Sequence, residues 1–533
     1  MQNIQASRHA KQAIIFCFIF IVAIVPIFQL GKEIYSREPI IEIDIFRGVP
    51  TNDKVRSYEK AIEDSSVIAK YARSRLQLLF TCLGGQGNKK VIIGSDGWLF
   101  YRPSFDYVTK PSSNFYGELR PFDAIVAFRQ ALKEQGVDLI LLPVPGKSSI
   151  YPEYLSKRHK DEAVNIYADE FFQKISDKGI KIIDPTKILY ETKKAGDTLQ
   201  DELLYLKQDT HWTPKGMKIV ARYIADAIIA GGWVKNIPNT SYKIEQVEVN
   251  RYGDLHDMLD LPKGYNCYKP MSVKIEKVID SKTGKPIKTD EKSPIVLIGD
   301  SFVNIYSVSE MGWGENAGLS EHLAYNLGIP IDVIAINDGG ATGSREQLSR
   351  RHNALAGKKL VIWQFPTRDL TNPESQWRIA NIPKPQKAEK KKIEMPKPQK
   401  QKTIEIEKDE AAMESPKSEG MKEKNLVVTG EVLLVSNVPD PGKVAYSDCL
   451  TYIKYRIISV EQGEYADSEI IAVFWGMKES KLMPAAKFLP GEKHRLILDA
   501  LENHQELSHF MQADDTNDYE RTPYWVIDMS PYK

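Results

Sequence analysis

The sequence predicts an α/β domain built on a parallel sheet, followed by a linker and a small all-β domain. Short apolar strands alternate with amphipathic helices over residues 91–381, whereas Lys, Glu and Pro dominate residues 382–424. Strand-like runs separated by turns then fill residues 425–533. Alternating strands and helices build a parallel sheet that is covered on both faces. A chain of 533 residues is also too long for one core, so several domains are expected.

The first element is an apolar run at residues 13–30, AIIFCFIFIVAIVPIFQL, which predicts a transmembrane helix. Its eighteen residues would measure about 27 Å at about 1.5 Å per residue. Arg8 and Lys11 precede the run, so residues 1–12 are expected in the cytoplasm. We therefore expect a single-pass anchor in a bacterial inner membrane, with the rest of the chain in the periplasm. A cleaved signal peptide is the alternative, but no small-x-small cleavage site follows.

Residues 31–90 are expected to form a membrane-proximal stalk with a charged helix around Lys54–Phe80. The α/β alternation follows, interrupted between about Tyr242 and Ser293 by short polar strands that predict an inserted β-hairpin region. The sequence predicts helices at Pro121–Gln135, Glu162–Lys178, Gly216–Ala230 and Leu319–Leu327, and strands at Val137–Val144, Ile180–Ile183, Ile295–Ile298, Ile331–Ile336 and Lys359–Phe365.

The composition changes at residue 382, where the run Pro-Lys-Pro-Gln-Lys occurs at 383–387 and again at 396–400. Such a segment has too little apolar surface to fold, so residues 382–424 are predicted to be a disordered linker. The β domain that follows, at residues 425–533, fits a compact barrel or sandwich. Its Tyr465, Trp475, Tyr524 and Trp525 are candidates for stacking on sugars, although core packing is the favoured interpretation.

The charge balance and the cysteines exclude several classes of function. Lys and Arg total 72 against 71 Asp and Glu, so no basic surface favours nucleic acid. Four cysteines and no CxxC motif predict neither a disulfide framework nor a structural zinc site. Cys82 and Cys267 are the best placed to form a disulfide, with unpaired buried thiols as the alternative. The sequence predicts no metal and no cofactor.

Two segments carry the chemistry of an acyl-transfer site. Ser301 follows an apolar strand and a Gly-Asp turn, and the segment Gln208–Pro214 places Asp209 two residues before His211. A serine hydroxyl needs a base to remove its proton during attack. His211 is the candidate base, and Asp209 can orient its ring and favour the imidazolium. Together these residues predict a serine-dependent enzyme.

Donors for a developing oxyanion are predicted at the same edge of the sheet. The backbone N–H of Ser301 is one candidate, and Gly339 or Gly340, in the loop after the next strand, is the other. His256 supplies a spare imidazole and is interpreted as a loop residue. Asp300 is expected to hold its turn through side-chain hydrogen bonds.

At these residues the chain resembles the SGNH-hydrolase-like proteins of alginate and related exopolysaccharide O-acetylation, the AlgJ/AlgX type. The resemblance spans about residues 91–370 and rests on five runs: Gly94–Tyr101, Val144–Pro152, Asp209–Gly216, Gly299–Phe302 and Trp363–Arg368. It implies a flavodoxin-like sheet with Ser301 as nucleophile, His211 as base and Asp209 as orienter. It further implies a polysaccharide acceptor and a multispanning membrane acyltransferase as acetyl donor.

The family pattern is incomplete in one respect, because no Gly-x-Asn-Asp block supplies an asparagine to the oxyanion. Arg368 and Tyr306 are candidate replacements or sugar contacts. Acetyl transfer to a glycan is the leading hypothesis. A carbohydrate acetylesterase, a non-catalytic glycan-binding scaffold and a metal-dependent hydrolase using Asp209 and His211 remain as alternatives.

Overall fold

The structure is a computed structural model of the chain. It describes residues 8–36, 51–52, 55–56, 66–109, 120–156, 168–196, 203–382 and 425–532, with short gaps at 263, 266, 352–353, 373–374, 376, 381, 440, 442–446, 480, 517 and 519–520. The predicted linker therefore lies outside the described residues, apart from Ile382, as do residues 37–50, 53–54 and 57–65 of the predicted stalk and the first part of the helix predicted at Glu162–Lys178.

The first element that the structure describes is a helix, α1 (Arg8–Ser36). The prediction of a membrane anchor within this helix is wrong. Among the helices that the structure describes, none is both long and apolar enough to span a bilayer. The apolar run measures about 27 Å against a hydrocarbon core of about 30 Å, and after Gly31 it is followed by the charged residues Lys32 and Glu33. The predicted location as a single-pass protein of the inner membrane is therefore wrong as well.

The next helix, α2 (Val67–Cys82), is joined to the body of the protein by a disulfide. Cys82 pairs with Cys267, and their Cα atoms lie 5.6 Å apart. Of the two alternatives for these cysteines, the structure thus contains the bridge. It ties the end of the predicted stalk to a segment almost two hundred residues further along the chain.

The α/β prediction is confirmed by a five-stranded, fully parallel sheet in the order β4-β3-β9-β7-β8. The strands are runs of Val, Ile and Leu that are buried almost throughout, because helices cover both faces. A short antiparallel pair, β1 and β2, precedes the sheet. The strand bounds are β1 (Val91–Ile93), β2 (Leu99–Tyr101), β3 (Asp138–Val144), β4 (Lys181–Ile182), β7 (Ile295–Gly299), β8 (Asp332–Ala335) and β9 (Leu360–Pro366).

The helices around this sheet agree with most of the predicted positions, and their cores lie on the two faces of the sheet. Pro214 begins the helix after the Asp-x-His segment, and the Thr213 side chain caps it by accepting from the Gly216 N–H. The bounds are α3 (Arg102–Thr109), α4 (Pro121–Glu134), α5 (Lys147–Ile150), α6 (Ala168–Ser176), α7 (Thr186–Gly196), α8 (Pro214–Gly231), α9 (Asp254–Asp257), α10 (Ser301–Asn304), α11 (Leu319–Leu327) and α12 (Gly340–Arg350).

The predicted insertion is a pair of long antiparallel strands, β5 (Tyr242–Arg251) and β6 (Met271–Asp280). The segment between them contains α9 and Cys267, so it is a long connection and not a tight hairpin turn. This connection returns to the body of the protein, where Gly253 approaches the backbone of Gln208 closely. A Cβ atom at residue 253 would lie 2.2 Å from the Gln208 carbonyl oxygen.

The C-terminal part is a closed β barrel, which confirms the all-β prediction. Five strands close a ring in the order β10-β11-β12-β16-β14, and β14 returns to β10. The predicted candidates Trp475 and Trp525 pack edge to face on each other at 5.9 Å, as core side chains do. The strands are β10 (Leu426–Val435), β11 (Cys449–Gln462), β12 (Glu469–Lys478), β13 (Lys481–Leu482), β14 (Lys493–Ala500), β15 (Met511–Ala513) and β16 (Pro523–Pro531).

Candidate active site

Ser301 lies where β7 ends and α10 begins, at the carboxyl edge of the parallel sheet. Its turn is held by Asp300, whose Oδ1 accepts from the Phe302 N–H at 3.0 Å, as predicted for this residue. Glycine is needed at position 299, the last residue of β7, because a Cβ atom there would lie 2.4 Å from the Gln364 Oε1. That same oxygen accepts from the Asp300 N–H. The turn that carries Ser301 is thus fixed to the neighbouring strand β9.

The structure brings together the three residues on which the enzyme prediction depends. The Nε2 atom of His211 lies 2.8 Å from Ser301 Oγ, and its Nδ1 atom lies 2.7 Å from Asp209 Oδ1. All three side chains are buried, with Ser301 5% exposed. The ring nitrogens are therefore arranged so that one faces the hydroxyl while the other faces the carboxylate, which is the geometry of general-base activation.

Asp209 is held in its ionised form by four N–H donors. Its Oδ1 accepts from the ring and the backbone N–H of His211, and its Oδ2 accepts from the Trp313 indole and the Asp254 N–H. Burial alone would raise the pKa of this carboxyl. The hydrogen bonds and the charge of His211, with the other donors, outweigh burial and hold the pKa well below its usual value.

A second carboxylate that sequence reasoning missed lies beside the same imidazole. Asp254 accepts from both the N–H and the hydroxyl of Thr210, and its Oδ2 lies 3.7 Å from His211 Nδ1. Burial and the charge of Asp209 raise the pKa of Asp254 to about 7. Burial lowers the pKa of His211, but the bond to Asp209 and the charges of both aspartates raise it above its ordinary value.

The buried ammonium of Lys147 holds the backbone of the segment that leads to His211. Lys147, 3% exposed, donates to the carbonyls of Leu206 at 2.8 Å, Lys207 at 2.9 Å and Asp209 at 2.8 Å. Burial lowers the pKa of Lys147 to about 7, and the charges of Asp254 and Asp209 partly offset this effect. Lys147 belongs to the predicted run Val144–Pro152, but nothing in its local sequence shows that its partners are three carbonyls.

Arg368 lies near Phe302, the residue after Ser301, in a group of carboxylates that includes Asp300, Asp338 and Asp369. Its guanidinium is 5.7 Å from the Phe302 ring and 5.4 Å from the Tyr101 ring, and its Nη1 has no hydrogen-bond partner. Burial raises the pKa of Asp338 to about 6 and that of Asp369 to about 7, while the charge of Arg368 opposes both shifts. The position of Arg368 is compatible with the predicted contact to substrate.

Three other predicted positions have different surroundings. Tyr306 is fully buried and donates its hydroxyl to the Trp212 carbonyl at 2.8 Å, so it supports the histidine segment and does not face a substrate. The N–H of Gly339 is bonded to the Ile336 carbonyl, which leaves Gly340, the first residue of α12, as the stronger oxyanion candidate. His256 lies in the short helix α9 and not in a loop, and its ring stacks on Tyr252 at 4.2 Å.

The metal alternative has one geometric observation in its favour. Donor atoms of Asp209, His211 and Asp254 lie within 4.8 Å of one another, and no other such group occurs among the residues that the structure describes. Both oxygens of Asp209 and both ring nitrogens of His211 are, however, within hydrogen-bond distance of protein partners. This arrangement suits proton transfer more directly than metal ligation.

The fold and this site define a class. Residues 91–367, just over half of the chain, match the family described as "SGNH hydrolase-like domain, acetyltransferase AlgX". The chain belongs to this family, which confirms the resemblance drawn from its motifs.

Individual relatives of the chain are described as alginate O-acetylases or alginate biosynthesis proteins. The chain is 27% identical over 302 residues to the "Probable alginate O-acetylase AlgJ" of Pseudomonas fluorescens, covering 54% of this chain and 70% of the relative. It is 24% identical over 302 residues to the "Alginate biosynthesis protein AlgX" of Pseudomonas putida, covering 55% and 60%. Among solved structures, the O-acetyltransferase domain of Pseudomonas putida AlgJ aligns with a TM-score of 0.42 and 21% identity, covering 53% of this chain and 92% of that one.

Proposed function

We propose that this protein is a serine-dependent O-acetyltransferase that acetylates hydroxyl groups of an exopolysaccharide or cell-envelope glycan. The observation that carries the proposal is the continuous contact from Asp209 through His211 to Ser301 in a member of an acetyltransferase family. The relatives are named as alginate O-acetylases, and an acetyl group on a sugar hydroxyl is the product that such a name implies.

The reaction would proceed in two acyl transfers. Ser301 Oγ attacks the carbonyl carbon of an acetyl donor while His211 Nε2 takes the serine proton, and the leaving group departs with that proton. The result is acetyl-Ser301 and a neutral imidazole. A sugar hydroxyl then attacks the acetyl carbon, His211 takes its proton and returns it to Ser301 Oγ, and the acetylated sugar leaves.

Two backbone N–H groups are suited to the oxyanion that forms in each step. Ser301 and Gly340 begin α10 and α12, and the first N–H groups of a helix have no acceptor within the helix. Arg368 would add positive charge on the same side of the nucleophile. The acetyl donor, following the family resemblance, would be a separate multispanning membrane acyltransferase.

The test is to incubate the full chain with p-nitrophenyl acetate and measure acetylation of Ser301 by peptide mass spectrometry. We expect one acetyl group on Ser301 in the wild type, none in Ser301→Ala, and wild-type labelling in the control Ser176→Ala, which removes an exposed serine on α6. Labelling should also survive EDTA, because no step uses a metal. Loss of labelling with EDTA and recovery with zinc would support the metal-dependent alternative instead.

Transferase and esterase are separated in a second stage of the same experiment. Unacetylated oligosaccharides are added to the acetylated enzyme, and the acetyl group is followed into sugar or into free acetate. Transfer requires that a bound hydroxyl outcompete water at the ester. Release of free acetate without acetylated sugar would favour the carbohydrate acetylesterase. A Ser301 that is never acetylated would favour the non-catalytic scaffold.

A further inference from the structure

The connectivity of the C-terminal barrel points to a binding role. In chain order its five ring strands are first β10, second β11, third β12, fourth β14 and fifth β16, and they close in the order 1-2-3-5-4. The third and fifth strands are parallel, and the other ring pairs are antiparallel. This is the topology of the OB fold, a barrel whose second and third strands and whose loops after the first and fourth strands bind oligosaccharides or oligonucleotides.

The loop after the fourth strand, residues 501–522, faces the catalytic domain. The Arg350 guanidinium, on α12, forms a buried ion pair with Asp514 and donates to the Asp518 carbonyl at 2.9 Å. The His509 carbonyl accepts from the Asn337 N–H at 2.9 Å. Asn337 in turn accepts from the side chain of Asn304, which lies one turn of α10 beyond Ser301. The binding loop of the barrel therefore contacts the structure that carries the nucleophile.

A cleft of about 440 Å³ lies between this loop and the catalytic domain. Small-ligand sites occupy about 300–1,000 Å³ and often lie between domains. One wall consists of Glu506, Ser508 and His509, and the other includes Asn304, Ser307 and Glu310. The lining follows the edge strand β8 through Val333 to Ala335, and this last residue lies at the carboxyl end of the strand, the edge of the sheet that also carries Ser301.

His509 indicates that the cleft is built for a polar ligand. This side chain is 8% exposed and its Nε2 atom has no hydrogen-bond partner, although buried polar groups are nearly always paired. The nearest charged group is Glu310, with Oε2 at 3.8 Å across the cleft. Burial lowers the pKa of His509, so the imidazole is neutral at pH 7 and can accept from or donate to a hydroxyl.

The charge of the lining selects among glycans. Four carboxylates, those of Glu310, Glu315, Glu321 and Glu506, line the cleft against one lysine, Lys288. Lys277 neutralises Glu315 at 3.0 Å, whereas no described lysine or arginine lies within ion-pair distance of Glu310 or Glu321. Like charges that face each other across an interface are unfavourable, and proteins use them to reject the wrong partner. A polyuronate or a nucleic acid would bring further negative charge into this cleft.

We infer that the cleft between the two domains binds the acceptor glycan, and that this glycan is neutral or bears amino groups and is not a polyuronate. The inference rests on the proposed function. The acceptor would then differ in charge from alginate, the polyuronate for which the relatives are named, and it would bind at a site outside the triad.

The test measures binding to the full chain carrying Ser301→Ala, by isothermal titration at low salt. The probes are a β-1,4-glucan tetrasaccharide, a chitosan tetrasaccharide and a tetrasaccharide of uronic acids. We expect the glucan or the chitosan oligomer to bind at least about fivefold more tightly than the uronate, the equivalent of about 1 kcal/mol for one exposed like-charge contact. Glu310→Lys should shift this preference toward the uronate, and His509→Ala should weaken binding of the preferred sugar.

The control is Glu464→Gln, which removes an exposed carboxylate from the barrel outside the cleft and should leave all three affinities unchanged. The inference would be overturned if the Ser301→Ala protein bound the uronate most tightly. It would also be overturned if neither Glu310→Lys nor His509→Ala changed the affinities. The outcome is separable from the proposed function, because acetylation of Ser301 by p-nitrophenyl acetate requires no glycan. A labelled serine with a preference for uronate would remove only the inference.

Discussion

Replacing Lys147 with methionine tests how His211, the proposed base, is positioned. The buried ammonium donates to three carbonyls in the segment that carries Asp209 and His211. Methionine keeps much of the apolar stem but removes every donor. Three carbonyls would then face an apolar side chain.

The structure sets the size of the effect. Each buried acceptor that loses its partner costs about 1–3 kcal/mol, and removing one partner of a buried charged contact costs about 3–5 kcal/mol. We expect Lys147→Met to lower the free energy of unfolding by about 3–5 kcal/mol. Relaxation of the segment would also move the imidazole relative to Ser301, and a displacement of about 1 Å lowers kcat by up to about 100-fold.

Lys358→Met is the matched control. Lys358 is also buried, and it donates to the Glu291 and Ser293 carbonyls and to Asp332, at the opposite edge of the sheet. Urea unfolding followed by circular dichroism should show a comparable loss of stability for both variants. Acetyl transfer measured well below the unfolding temperature should fall only for Lys147→Met. A kcat within twofold of wild type in folded Lys147→Met, or an equal fall in both variants, would refute the positioning role.

Two further predictions concern charge. Burial raises the pKa of Asp369 to about 7, above an unfolded value near 4. The folded chain therefore binds a proton that the unfolded chain releases, and the stability contributed by this group falls as pH rises from about 4 to about 7. Asp369→Asn should remove that slope from urea unfolding measured at several pH values; an unchanged slope would contradict the assignment. Arg350→Ala should weaken the domain contact by about 3–5 kcal/mol, because it leaves Asp514 buried without its cation. After cleavage at a protease site inserted in residues 383–424, the fragment 425–533 should separate from the variant and stay bound to wild type, and equal retention would argue against this contact.

The sheet was predictable from sequence because each strand is a short apolar run followed by a break. The error at α12 shows where this signal fails. Residues 337–343 contain three glycines and were expected to form a loop, yet a helix begins at Gly340. Arg345 provides a reason: it is fully buried, donates to the Ala341 carbonyl and packs its guanidinium 4.6 Å from the Trp363 ring. Tertiary contacts of this kind override local propensity.

The triad was predictable because its residues occur in two recognisable runs, but its supports were not. Asp254 lies 45 residues after Asp209 and reaches the site only because the insertion folds back onto the histidine segment. Gly253, which permits that approach, was the one available signal. The interface with the barrel had no signal at all, because its contacts are made by polar residues that local patterning assigns to solvent.

The two aspartates at the imidazole have opposite shifts, and this difference has a mechanistic consequence. Asp209 receives four N–H donors and stays ionised, whereas partial burial beside that charge brings the pKa of Asp254 to about 7. Near neutral pH the imidazole therefore faces the full negative charge of Asp209, while the raised pKa of Asp254 brings that carboxyl closer to its neutral form. In the proposed mechanism, a second full charge would stabilise the imidazolium further and slow the return of its proton in the second half of each transfer. Titratable groups whose environments push their pKa values apart are a feature of acid–base sites, and this pair supports the role proposed for His211.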